Sequence, residues 1–111
     1  MLKPSDTDKQ TKKALVKTNA LKAISDRYSQ ADISLINMLM LVGMTTNNRL
    51  MIDQVTQISQ WITSVCQRAG QARRGIREAD TDVDLTACST DFSDLAAIQT
   101  PPVERIFDAM L

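Results

Sequence analysis

Nine positions of this chain step alternately by three and four residues: Ala14, Lys17, Leu21, Ile24, Tyr28, Ala31, Leu35, Met38 and Val42. Only Lys17 interrupts the apolar stripe. Such a repeat is the signature of a long helix with one side turned to a helical neighbour. It predicts a first helix over residues 9–43, continuous through the polar stretch around residues 26–32. Ser29, with Asp32 three residues on, is the alternative break at 29–31, because that pair can cap a second helix. The constant phase of the stripe favours continuity. Ahead of it, Ser5 or Thr7 can cap the start, with Asp6 and Asp8 favourable at the positive end of the helix dipole.

The far end of this helix is unusually apolar. From Ile33 to Met44, nine of twelve residues are Ile, Leu, Met or Val, and none is charged. A spanning helix needs about 20 apolar residues. With Asn37 inside the run and Asn47, Asn48 and Arg49 beyond it, no membrane span is expected. The apolar residues cover nearly the whole helix circumference, so one neighbouring helix cannot cover them all. The rest needs C-terminal segments, a second copy or another protein.

Gly43 is expected to end the first helix at positive φ, with the polar residues 45–48 forming a turn. From Asn48 a second stripe follows: Met51, Val55, Ile58, Ile62, Val65 and Ala69, with Trp61 at its edge. A second helix over 48–70 is predicted, reaching residue 77 if Gly70 and Gly75 are tolerated, each less favourable than Ala by up to about 1 kcal/mol. Two striped helices joined by a short turn make an antiparallel, coiled-coil-like hairpin.

Residues 78–111 change character, being rich in Asp, Ser and Thr. One short helix is expected there, capped by Thr90 or Ser93, with Phe92, Leu95, Ala96 and Ile98 as its apolar face. Pro101 and Pro102 end it. Val103, Ile106, Phe107, Met110 and Leu111 then share one face of a last short helix, which needs something to dock on. The expected fold is all-α: one domain holding a helical hairpin and one or two short C-terminal helices. Three glycines and three prolines among 111 residues agree with that choice over an all-β fold.

Net charge is zero but unevenly spread. Residues 1–30 hold seven basic and three acidic residues, a net +4. Residues 31–77 hold five basic and two acidic, a net +3. Residues 78–111 hold one basic and eight acidic, a net −7. A basic body and an acidic tail can neutralise one another on folding, or serve a partner.

The chain has no histidine, which removes the commonest general base and metal ligand. No serine or cysteine triad can be assembled, and no enzymatic activity, metal, cofactor or small-molecule substrate is expected. The acidic run Asp80, Asp82, Asp84 resembles the start of a calcium loop, but Leu85 stands where that loop requires glycine; a solvated acidic turn is expected. Cys66 borders the second stripe and reads as a buried thiol. Cys66 and Cys88 are expected to stay reduced in the cytoplasm, as no apolar leader opens the sequence.

Two candidate sites remain. The apolar surface comprises Leu35, Met38, Leu39, Met40, Val42, Met44, Ile106, Phe107 and Met110. It suggests an interaction module (an adaptor, chaperone or assembly component) that binds a protein partner or itself, the methionines providing adaptable packing. The basic patch comprises Lys12, Lys13, Arg68, Arg73, Arg74 and Arg77, brought to one end by an antiparallel hairpin. It suggests a small nucleic-acid-binding regulator as the alternative.

Overall fold

The computed structural model describes residues 3–110, with the side chains of residues 109 and 110 outside the description. Six helices occur among these residues, and no strand: α1 (Asp6–Arg27), α2 (Gln30–Thr46), α3 (Arg49–Glu78), α4 (Asp82–Ala87), α5 (Ser93–Ala96) and α6 (Val103–Met110). They form a rod of about 61 × 20 × 20 Å. The helix α3, at 1.5 Å per residue about 45 Å long, is its spine. Both α1 and α2 pack along it, one after the other, with few contacts between themselves. They run antiparallel to α3: Lys9 near the start of α1 donates to the Arg77 carbonyl at the end of α3, 3.0 Å away. The all-α hairpin is therefore present, but its first arm is two helices.

The break corrects the expected continuous helix. Tyr28 leaves the helix with extended backbone, and Ser29 starts α2 with a complete capping box. The Ser29 hydroxyl accepts from the Asp32 N–H at 3.1 Å, and the Asp32 carboxylate accepts from the Ser29 N–H at 2.9 Å. Such a cap contributes about 1 kcal/mol. Packing supplies a second cause. The buried residues of α1 are Val16 and Ala20, and those of α2 are Ile36, Leu39 and Gly43. At 3.6 residues per turn, an unbroken helix would set these two groups more than a right angle apart. The break resets the phase so that both face the core. The stripe that suggested continuity is not the buried face: Ala14, Leu21, Ala31 and Met38 are exposed.

At the other end of α2 the expected exit at Gly43 is also corrected. The helix continues to Thr46, and Asn47 takes the left-handed conformation (φ 54°). The Asn48 N–H then donates to the Gly43 carbonyl at 2.8 Å. Asn tolerates this region better than most residues. Gly43 serves close approach instead: a Cβ there would lie 3.1 Å from Cγ1 of Ile52 and 3.4 Å from Met51. Asn48 caps α3 by accepting from the Met51 N–H. The second stripe is the buried face as expected, with Met51, Val55, Ile58 and Val65 in the core, and α3 runs through both glycines to bury Ile76.

The C-terminal segment forms a third arm. Its contacts along α1 rise in step with its own numbering: Lys12 to the carbonyls of Leu85 and Thr86, Asn19 to that of Thr90, and Arg27 to those of Ala96 and Ile98. It therefore runs parallel to the first arm, and α6 closes on α2 and α3. Residues 82–87, expected as a solvated turn, are the helix α4. The Thr81 hydroxyl caps it and Leu85 anchors it in the core. The expected short helix is present as α5, but neither Thr90 nor Ser93 caps it: Phe92 stands at its N-cap without a side-chain bond, and Phe92 and Leu95 are buried while Ala96 and Ile98 are exposed.

Candidate interaction surfaces

The third arm is short helices joined by irregular segments, so several of its carbonyls lack the partners a long helix would supply. Side chains of α1 provide them. Arg27 makes two such bonds, 2.6 Å to the Ala96 carbonyl and 2.6 Å to that of Ile98, and a third bond of 3.1 Å to the Thr100 hydroxyl. Its guanidinium lies 4.1 Å from the centroid of the Trp61 ring. Tyr28 meets the same ring edge-on at 6.0 Å and donates to the Pro101 carbonyl. Trp61 donates from Nε1 to the Leu95 carbonyl at 2.8 Å. All three arms thus meet at Trp61. Sequence reasoning placed Trp61 only at the edge of the stripe and gave Arg27 no part. A stacked arginine many residues away leaves no local periodicity by which to find it.

Just along the rod, Arg68 grips Asp94 with two parallel bonds of 2.9 and 2.7 Å. This pair is one clear case of tail-to-body neutralisation. The hydrogen bond from Arg68 holds the Asp94 carboxyl below the ordinary aspartate range, and the Ser93 hydroxyl and N–H do the same for Asp91. A carboxylate whose pKa is depressed by folding contributes stability that is fully present above its unfolded pKa of about 4. That contribution is lost as pH falls through the lower folded value. Acidification below about pH 4 should therefore loosen α5. Amide exchange at Leu95 and Ala96, followed by NMR, should speed up there, and an Asp94→Asn chain should show the faster exchange already at neutral pH. Equal exchange in the two chains at neutral pH would rule the pair out as a clasp.

The proposed basic patch comes together only in part. The hairpin brings Lys9, Lys12 and Lys13 to the same end as the α3 C-terminus. Arg73, Arg74 and Arg77 are exposed, and none makes a salt bridge among the described residues. Lys12, however, is committed to two backbone carbonyls, and Arg68 to Asp94. Asp82 and Asp84, in the first turn of α4, stand at the same end.

The apolar candidates also divide. Leu39 and Ile106 lie fully inside the molecule's own core, while Leu35, Met40 and Val42 are half-buried against it. Met110 lies outside the described side chains. The outward set is Met38 at 60% exposure, Leu41 at 66% and Met44 at 64%, with Leu50 at 63% and Phe107 at 37%. Leu41 and Leu50 were not among the residues singled out in the sequence. Met38, Leu41 and Met44, spaced by three, share one face of α2. Their neighbours on it, Ser34, Asn37 and Thr45, are uncharged and exposed. No charge occurs between Asp32 and Arg49, nor between Asp53 and Arg68; the charges at this half of the rod are Arg49, Asp53 and, on α6, Glu104, Arg105 and Asp108.

Neither cysteine is paired, and Cys66 is exposed, correcting the buried thiol expected there. One position past Val65, it has rotated away from the core. A surface depression of about 440 Å³ is lined by Asn19, Lys22, Asp26, Asp91 and Ser93 among others. Its polar groups are largely engaged: Lys22 with Asp26, Asn19 with the Thr90 carbonyl, and Asp91 with Ser93. Among the described residues no helix is long and apolar enough to cross a membrane, and no three metal-binding side chains converge. No protein-family model matches the chain, and no curated protein or solved structure was found to be similar to it.

Proposed function

We propose that this protein is a non-enzymatic interaction module, an adaptor or assembly component, that binds protein through the outward face of α2. One observation carries the reading: Met38, Leu41 and Met44 form an exposed, charge-free face on a helix whose opposite side is already packed. Scattered exposed leucines are ordinary; three large apolar side chains on one face, with Leu50 at the same end of the rod, make a patch suited to a partner. Methionine lets such a surface adapt to the shape it meets. The setting is cytoplasmic, where the two thiols stay reduced.

Light scattering coupled to size exclusion tests the reading. The expected result is a mass above that of the monomer, or a shift when the partner is added, either one abolished by Met38→Glu with Met44→Glu. A folded chain that stays monomeric, with no partner shift and no apolar dye bound at α2, would sink it.

The second reading, a nucleic-acid-binding regulator, is favoured by the three exposed arginines at the end of α3. It predicts binding that weakens steeply with salt and is reduced by Arg73→Glu with Arg74→Glu. Absence of a gel shift at low salt excludes it.

A further inference from the structure

We infer that the occupant of the α2 face is a second copy of this chain, with the two α2 helices crossing antiparallel about a two-fold axis at Leu41. The inference rests on the interaction reading above and commits it to one partner. Its first support is the spacing. Met38 and Met44 stand three residues to either side of Leu41, so the face reads Met, Leu, Met in both directions. An antiparallel mate therefore presents the same three side chains in the same order. Leu41 meets its own counterpart, and Met38 meets Met44 of the second copy. A closed two-fold contact requires this kind of self-complementary patch.

Charge gives the second support. Two identical surfaces brought face to face repel wherever they carry charge, but Ser34, Asn37 and Thr45 add none here. A strongly acidic or basic partner would find nothing on this face to pair with. The same consideration selects the antiparallel sense. Parallel rods would set the lysine-rich N-terminal ends of the two α1 helices side by side. Antiparallel rods carry them apart in opposite directions.

Area sets the expected strength. Met38, Leu41 and Met44 present on the order of 350 Å² of apolar side chain per copy, within the range for the largest patch on a monomer. Covering both copies removes roughly 700 Å² from water before any polar rim is counted, the size of a weak, transient interface. The dimer should therefore be reversible and dilute apart, with a dissociation constant on the order of micromolar.

Sedimentation equilibrium of the full chain, from about 1 to about 500 μM, should follow the mass from monomer to dimer. The Leu41→Glu chain should remain monomeric throughout, with unchanged circular dichroism, because residue 41 is exposed. Geometry is read by disulfide formation in a Cys66→Ser, Cys88→Ser background. A Leu41→Cys chain should link to itself. Met38→Cys should link only when mixed with Met44→Cys. A monomer at every concentration overturns the inference, as does a dimer that survives Leu41→Glu. Self-linking of Met38→Cys overturns the antiparallel arrangement. A photo-crosslinker at position 41, used in extract of the producing cells, separates this failure from failure of the broader reading. Links to other proteins only, with the purified chain monomeric, overturn the second copy but leave the interaction module standing. A monomer with no links at all overturns both.

Discussion

Trp61→Ala is expected to destabilise the protein by about 3–5 kcal/mol, the range for removing a large aromatic side chain from a core. Against a total stability of roughly 5–15 kcal/mol, that is enough to leave a sizeable fraction unfolded in mild denaturant. The loss exceeds simple burial because three contacts end on this ring. The Leu95 carbonyl keeps the Ile98 N–H but loses its side-chain donor, the Arg27 guanidinium loses its stacking surface, and Tyr28 its edge contact. Urea unfolding followed by far-ultraviolet circular dichroism measures the effect, since the variant has no tryptophan to report by fluorescence. Trp61→Phe keeps an aromatic face but removes the N–H donor and part of the indole's bulk, and should cost about 1–3 kcal/mol. If Trp61→Ala costs under about 1 kcal/mol, the three arms do not depend on this junction.

The second large effect is expected at α6. Ile106 is fully buried between α2 and α3, in a helix of eight residues too short to hold itself together in water. An unpaired carboxylate cannot take that place, so Ile106→Asp should undock α6 and release Val103 with it, at about 3 kcal/mol or more. Arg105→Ala, one residue away and exposed, should stay within about 0.5 kcal/mol of the parent. Undocking uncovers apolar surface on α2 and α3. The Ile106→Asp chain should therefore show greater association in light scattering at equal concentration. Equal stability of the two variants would mean that α6 does not cover the core.

These two positions differ in how far the sequence announces them. Ile106 belongs to an apolar set at helical spacing after Pro101 and Pro102, so its need for a cover was legible, but not that its own α2 and α3 supply that cover. The spine helix was legible for the same reason, because Met51, Val55, Ile58 and Val65 repeat without a miss and all four are buried. The junction at Trp61 was not. It is assembled from Arg27, Tyr28, Leu95 and Thr100, whose proximity depends on the third arm folding back. Likewise Cys66 sits one residue from a buried valine yet faces solvent.

The candidate surfaces show the same division. The charge-free apolar run of α2 was visible in the sequence, but not which side of it would remain exposed. Leu39 and Met38 are neighbours in sequence and equal in character; one is in the core and the other is outside. The basic end was visible as composition. Only the structure assigned Lys12 to the carbonyls of Leu85 and Thr86, and Arg68 to Asp94.

What the sequence determined by itself is local: helical class, the polar turn between α2 and α3, and the buried stripe of α3. Each depends on residues within a turn or two, where spacing and side-chain hydrogen bonding act directly on the backbone. What only the tertiary structure decided is phase: which face of α1 and of α2 is buried, and where the first arm breaks. A helix with apolar residues around most of its circumference has no single preferred side. The choice belongs to its neighbours, α3 and the returning third arm, and they meet it only once the chain has folded.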